Sequence, residues 1–315
     1  QMKNNKNAVL HVWMLPLLFV LACFTVCYLA GSLDYRSIID ERSQRDFNAA
    51  LGMPLIIGYL WLALRILHRR SGKRIADFLV QTNQLSQYSL HMKVLEEKLV
   101  RHVILAATLA IAITLVYLIS EDLLAFNQPF SVLLLNIIAV PFWFFLFLFL
   151  MQSASFTRYL YKRLLLPNIH QHFSYCKPIC DLGVSNVIFS LFLLLLMPVF
   201  WIGKSVPLID GLILSATIAF MIVLLFMPVF KSVYLMRKLR NQSIQQIEAQ
   251  LASLIMERKN NPGADSGELL HKLNQQLEDL RQHRCWPKDG LVNTKVFIMS
   301  TGLPCCFLVL IWWLI

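Results

Sequence analysis

Long stretches without a charged residue are the feature of this sequence that most restricts its fold. Hydrophobic residues make up 57% of the 315 residues and charged residues 15%, and the charges are collected in blocks between apolar runs. Runs of about 17–25 apolar residues span the hydrocarbon core of a membrane, where only helices or closed barrels satisfy their own backbone. The short alternating segments of barrel strands are absent. The sequence therefore predicts an all-α, polytopic helical membrane protein.

We expect about seven transmembrane helices. The spans are 8–30, 51–68, 103–119, 132–152, 186–203, 209–230 and 294–315, the first six of which form a bundle over 8–230. With the N-terminus in the cytoplasm, all but four of the 29 Lys and Arg residues fall on the cytoplasmic side, and the four are Arg36, Arg42, Arg45 and Lys204. This positive-inside bias predicts that the N-terminus lies inside and the C-terminus outside. The expected location is a bacterial-type inner membrane. Because topology explains the basic charge, membrane lipids are the expected partner and nucleic acid is not.

Long amphipathic helices are expected on the cytoplasmic side. Leu85, Met92 and Leu99 recur every seven residues in a predicted cytoplasmic helix over 75–101. Since no Pro or Gly separates that helix from the third span, 75–119 is expected to be one continuous helix.

A second cytoplasmic element, over 231–293, is predicted to be a coiled-coil-like hairpin. Leu251 and Leu254 precede the breaker 261–263 (Asn-Pro-Gly), and Leu273 and Leu277 follow it at helical spacing. Exposed leucines of this kind need a shared core or a partner, so these residues, with Leu85, Met92 and Leu99, are the expected interaction surface.

Two clusters are candidates for ligand binding. The basic residues that end the second span could bind an anionic lipid, although a stop-transfer anchor is the preferred interpretation. They are Arg65, His68, Arg69, Arg70, Lys73 and Arg74, of which Arg69, Arg70, Lys73 and Arg74 are the candidate lipid ligands. His170, His172, Cys176 and Cys180 place four nitrogen or sulfur ligands within eleven residues, but their spacing matches no established zinc pattern. Packing of this segment at the membrane surface is the preferred interpretation, so no metal and no cofactor is expected.

The sequence contains none of the common catalytic motifs. There is no His-Glu-x-x-His, no phosphate-binding Gly-Lys-Ser/Thr loop and no Gly-x-Ser-x-Gly elbow. Ion-coupled transport normally requires a charged residue in the middle of a span, and none of the predicted spans has one. Polar residues within the spans, such as Asn186 and Ser190, are more typical of hydrogen bonds between helices.

These observations favour a non-catalytic integral inner-membrane subunit or scaffold of an oligomeric or multi-protein assembly, which docks through its cytoplasmic helices. One alternative is an oligomeric channel or transporter that lacks its own ATPase. A membrane enzyme acting on a lipid-linked substrate is the third.

Overall fold

The computed structural model describes residues 2–34, 38–120, 129–165, 177–203, 234, 237–256 and 267–282, and every regular element in these ranges is helical. The helices are α1 (Met2–Leu29), α2 (Glu41–Gln81), α3 (Tyr88–Ser120), α4 (Phe130–Tyr159), α5 (Lys177–Leu196), α6 (237–256) and α7 (Gly267–Gln282). Three short helical turns adjoin them: a 3-10 turn at Leu85–Gln87, a π-helical turn at Leu160–Leu165 and a 3-10 turn at Met197–Trp201. The predicted all-helical class is confirmed.

Three of these helical segments are long and apolar enough to cross a membrane. They are Glu41–Gln81 with 41 residues, Leu85–Ser120 with 36 and Phe130–Leu164 with 35. At about 1.5 Å per residue each is roughly 50–60 Å long, whereas the hydrocarbon core is about 30 Å thick. Part of each segment would therefore extend beyond a membrane that it crosses.

Of the four remaining predicted spans, two coincide largely with shorter apolar helices and two lie outside the described residues. The shorter apolar helices Trp13–Leu29 and Ile188–Trp201 coincide with most of the expected first and fifth spans. The expected sixth span, 209–230, and seventh span, 294–315, lie outside the described residues.

The prediction of one continuous helix over 75–119 is wrong, and with it the single helix over 75–101. The chain ends α2 at Gln81 and turns before α3. Asn83 has a φ of 56°, and the backbone N–H groups of Asn83 and Gln84 donate to the carbonyls of Val80 and Leu79. This is the Schellman arrangement, in which a left-handed residue closes a helix and satisfies its last carbonyls. Asn takes the left-handed conformation more readily than other non-glycine residues, so the chain turns without Gly or Pro.

The long helix α2 is the centre of the bundle. Half of its most apolar stretch is buried, compared with 39% in the segment containing α4 and 17% in the segment containing α3. The first half of α2 packs with α1, α4 and α5 around Ile56, Ile57 and Leu60, which are fully buried. Its second half packs with α4 and α5 around Phe78 and Leu79. α3 lies at the edge of the described bundle.

Close contacts fix the neighbours of α2. A Cβ atom at Gly58 would overlap Cγ2 of Val20, so the missing side chain lets α1 approach α2. Small residues serve this purpose at crossings of membrane helices. On α5, the carbonyl of Phe189 accepts a hydrogen bond of 2.6 Å from the Tyr59 hydroxyl.

The helices also alternate in direction, which gives the bundle two chemically different ends. At one end, buried Asn48 near the start of α2 donates to the carbonyls of Phe200 (3.2 Å) and Ile202 (2.8 Å), just after α5. At the opposite end, the last turns of α2 pack against the π-helical turn that follows α4. This second end carries Arg69, Lys73, Lys98, Arg101, Arg158 and Arg163, and we call it the basic end.

Candidate functional site

A cavity of about 560 Å³ opens at the basic end between α1, α2, α3 and α4. Most of its wall is apolar: Leu15, Trp61, Leu64, Leu67, Leu95, Leu99, Phe145, Leu148 and Phe156. The volume lies within the range of about 300–1,000 Å³ that is usual for small-molecule sites. The cavity is lined by residues of four helices, at the level where the central helix continues beyond its apolar stretch.

One side of this cavity is cationic. Arg65, His68 and Arg69 line it, and among the described residues no Asp or Glu does. The guanidinium of Arg65 lies over the Trp61 ring, 5.3 Å from its centroid. This cation–π contact holds the charge at the boundary between the apolar wall and the basic end.

A hydrogen-bond donor accompanies these charges. Gln152 of α4 lines the cavity, and its Nε2 is buried without a hydrogen-bond partner among the described residues. Buried amide groups are normally satisfied, so an orphaned donor at a cavity wall suggests an acceptor that the protein itself does not provide.

A second polar contact joins α3 to α4 near this cavity. Nδ1 of His91 lies 2.6 Å from the Tyr159 hydroxyl, and Nζ of Lys98 lies 4.6 Å from the centroid of the Tyr159 ring. Tyr159 is buried and immediately precedes the π-helical turn. These contacts hold the start of α3 against the end of α4.

The basic residues predicted to bind lipid occupy different positions in the structure. All four side chains are exposed, but only Arg69 lines the cavity, whereas Arg70, Lys73 and Arg74 do not. Sequence reasoning included Arg65 and His68 in the basic cluster but missed Trp61 and Gln152. The spacing of Trp61, Arg65, His68 and Arg69 at three and four residues was the available signal, since it places all four on one face of a helix.

The predicted hairpin leucines occupy the less exposed positions of α6 and α7. Leu251 and Leu277 are buried, and Leu254 and Leu273 are half-buried. Arg281 of α7 donates to Oε1 of Glu248 of α6 across 2.8 Å, so the two helices lie side by side. The predicted breaker at residues 261–263 lies outside the described residues.

The far end of this hairpin exposes apolar side chains. Ile255 and Met256, the last residues of α6 that the structure describes, are 55% and 68% exposed, and Leu269, in the first turn of α7, is 50% exposed. These three residues flank residues 257–266, and we call them the hairpin tip.

The other predicted interaction residues lie at the α2–α3 turn and along α3. Leu85 is exposed in the 3-10 turn. Met92 lies opposite Gly72 of α2, since a Cβ added there would be 3.8 Å from the Met92 Cε, and Leu99 lines the cavity.

Of the candidate metal ligands, His170, His172 and Cys176 lie outside the described residues, and Cys180 falls in the first turn of α5. Within the described ranges no three His, Cys, Asp or Glu side chains are grouped so as to hold a metal ion.

Comparisons with protein-family models, with curated proteins and with solved structures find no match to this chain.

Proposed function

We propose that this chain is a non-catalytic integral subunit of an oligomeric or multi-protein assembly in the bacterial inner membrane, and that it docks through the hairpin formed by α6 and α7. The observation that carries the proposal is the apolar hairpin tip. Three large apolar side chains are at least half exposed at the end of an element that is otherwise polar on its outer face.

The hairpin itself supports a docking role because it is held together without these three residues. Leu251 and Leu277 are buried, and the Glu248–Arg281 ion pair joins the two helices. The tip residues are thus left over after the internal contacts of the hairpin are made. Apolar side chains grouped on a water-exposed surface favour association with another protein.

The orientation proposed here has the basic end and the hairpin in the cytoplasm, with seven spans and the C-terminus outside. The positive-inside rule supports it, because the basic side chains of α2, α3 and α4 gather at one end. Cysteines introduced at Arg42 and Lys73 are expected to react with impermeant reagents from opposite sides of the membrane. Labelling from the same side would contradict this orientation.

The function is tested by a triple substitution at the tip, Ile255→Gln, Met256→Gln and Leu269→Gln. Wild-type protein extracted in mild detergent is expected to have a mass above the 36.4 kDa of one chain, measured by light scattering with correction for detergent. The tip variant is expected to lose the additional mass while remaining in the membrane fraction.

A matched control makes the same change of polarity elsewhere on the basic half of the bundle. Val80, Leu90 and Val100 are 58%, 61% and 59% exposed on α2 and α3, and their replacement by Gln should leave the assembly intact. If both triple variants dissociate equally, association is a general property of exposed apolar surface. If wild type is a single chain with no stoichiometric partner, the proposed function is wrong.

A further inference from the structure

The cavity at the basic end combines three features that together select one class of ligand. It has an apolar wall, a cationic side and an unpaired amide donor, and it lies where the apolar stretch of α2 gives way to basic residues. None of these features is needed for docking by the hairpin.

The apolar wall requires a ligand with a hydrocarbon part. Leu64, Phe145, Leu148 and Phe156 face the cavity together with Leu95 and Leu99 of α3, so a polar solute would lose its hydration there without replacement. A hydrocarbon chain would instead remove this surface from water, which contributes about 25 cal/mol per Å².

The cationic side favours a negative group at one end of the ligand. Arg65 and Arg69 are separated by one helical turn, and His68 lies between them on the same face. A guanidinium pairs with phosphate through two parallel N–H groups, a geometry that Lys cannot reproduce. An oxygen of the same ligand would also accept a hydrogen bond from the Gln152 amide.

We propose that this cavity binds one anionic phospholipid, with its phosphate between Arg65 and Arg69 and one acyl chain along the wall formed by α3 and α4. Charge complementarity selects an anionic over a zwitterionic lipid, because no carboxylate among the described lining residues is available to balance a cationic headgroup. The position also fits, since lipid phosphates lie at the level where an apolar helix becomes basic.

The test compares two variants that each remove two positive charges from the same helix. Arg65→Gln with Arg69→Gln alters the cavity, whereas Arg70→Gln with Lys73→Gln alters exposed residues outside it. Each protein is placed in zwitterionic nanodiscs, and binding is measured by thermal stabilisation while anionic phospholipid is titrated in. Because each guanidinium would make charge-assisted hydrogen bonds to the phosphate, the cavity variant should bind at least tenfold more weakly than wild type.

The control variant should bind within about threefold of wild type, because its residues do not contact the ligand. Inorganic phosphate at the same concentration should stabilise none of the proteins, since it has no acyl chain. Equal losses in the two variants would mean diffuse attraction to the surface, and stabilisation by phosphate alone would mean a simple anion site. Either result overturns the proposal.

Two further measurements keep the proposal testable if the cavity variant fails to fold. Leu99→Trp fills the cavity from α3 without changing charge, and it should weaken binding as much as the loss of both arginines. In the wild type, an anionic phospholipid with a photoreactive acyl chain should label peptides from 61–71 and 145–156. Labelling confined to the outward face of α3 would show that the lipid lies outside the cavity.

Discussion

Replacement of Asn186 should weaken the contact between α4 and α5 by a small and calculable amount. The side chain is fully buried, and Nδ2 donates to the Ser153 carbonyl and to the Thr157 hydroxyl, each across 2.7 Å. Leu has a similar size and can make neither bond. Asn186→Leu therefore removes two interhelical hydrogen bonds without opening a large cavity.

The structure sets the magnitude of this effect. Hydrogen bonds between membrane helices contribute about 0.6 kcal/mol on average and at most about 1.7 kcal/mol each. In the variant the Thr157 hydroxyl still donates to the Ser153 carbonyl across 2.8 Å, so that carbonyl is not left unpaired. The expected loss in the free energy of unfolding is therefore about 1–2 kcal/mol, below the roughly 3 kcal/mol of two strong bonds.

The measurement is reversible unfolding in mixed micelles with increasing dodecyl sulfate, followed by far-ultraviolet circular dichroism. Ser190→Ala is the matched control, because the Ser190 hydroxyl donates only to the Asn186 carbonyl within its own helix. A double-mutant cycle with Thr157→Val should give a coupling of about 0.5–1 kcal/mol. If Asn186→Leu unfolds like wild type, or if Ser190→Ala costs as much, the hydrogen bonds do not hold α4 to α5.

Three further results are expected. Gly58→Ala should lower the free energy of unfolding by about 1–3 kcal/mol, because the added Cβ would overlap α1. Gly72→Ala, where the nearest neighbour of an added Cβ is 3.6 Å away, should be neutral or stabilising. Equal effects of the two substitutions would contradict this packing. Leu251→Asp with Leu277→Asp should separate the hairpin helices and abolish assembly while membrane insertion persists, measured by size-exclusion chromatography and membrane fractionation; an unchanged oligomer would reduce the hairpin to a connector. The hydrogen bonds from Ser43 hold the pKa of Asp40 below its ordinary 3.8, so this cap stabilises α2 above that pH and is lost as pH falls through the lowered pKa. The titration of Asp40 is followed through the backbone amide signal of Ser43. A titration midpoint at or above 3.8 would contradict the lowered pKa.

Several features of the chain followed from local chemistry alone. Uncharged apolar runs predicted helices, because a helix satisfies its own backbone hydrogen bonds in a membrane. The long apolar helices α2, α3 and α4 confirm the helical class. The three-and-four spacing of leucines anticipated which positions of α6 and α7 are least exposed. Both inferences depend on the period of the helix, which is a property of neighbouring residues.

The break after α2 depends partly on the local sequence and partly on tertiary packing. Thr82, Asn83 and Gln84 contain no Gly or Pro, so the chain shows no strong stop signal. Asn in the left-handed conformation was a weaker signal that could have been used. The turn also depends on the packing of Tyr88 and Met92 of α3 at Gly72 of α2, which joins residues up to twenty apart.

Only the tertiary structure decided which polar residues join helices and where a ligand could bind. The Thr25, Thr108 and Ser190 hydroxyls donate to carbonyls of their own helices, whereas Asn186 alone of the four pairs with another helix. Their residue types do not distinguish these outcomes, because each depends on which helix lies opposite and at what height. The cavity is likewise formed by residues of four helices, among them Arg65 and Gln152, and the distance between helices is not encoded in any single one of them.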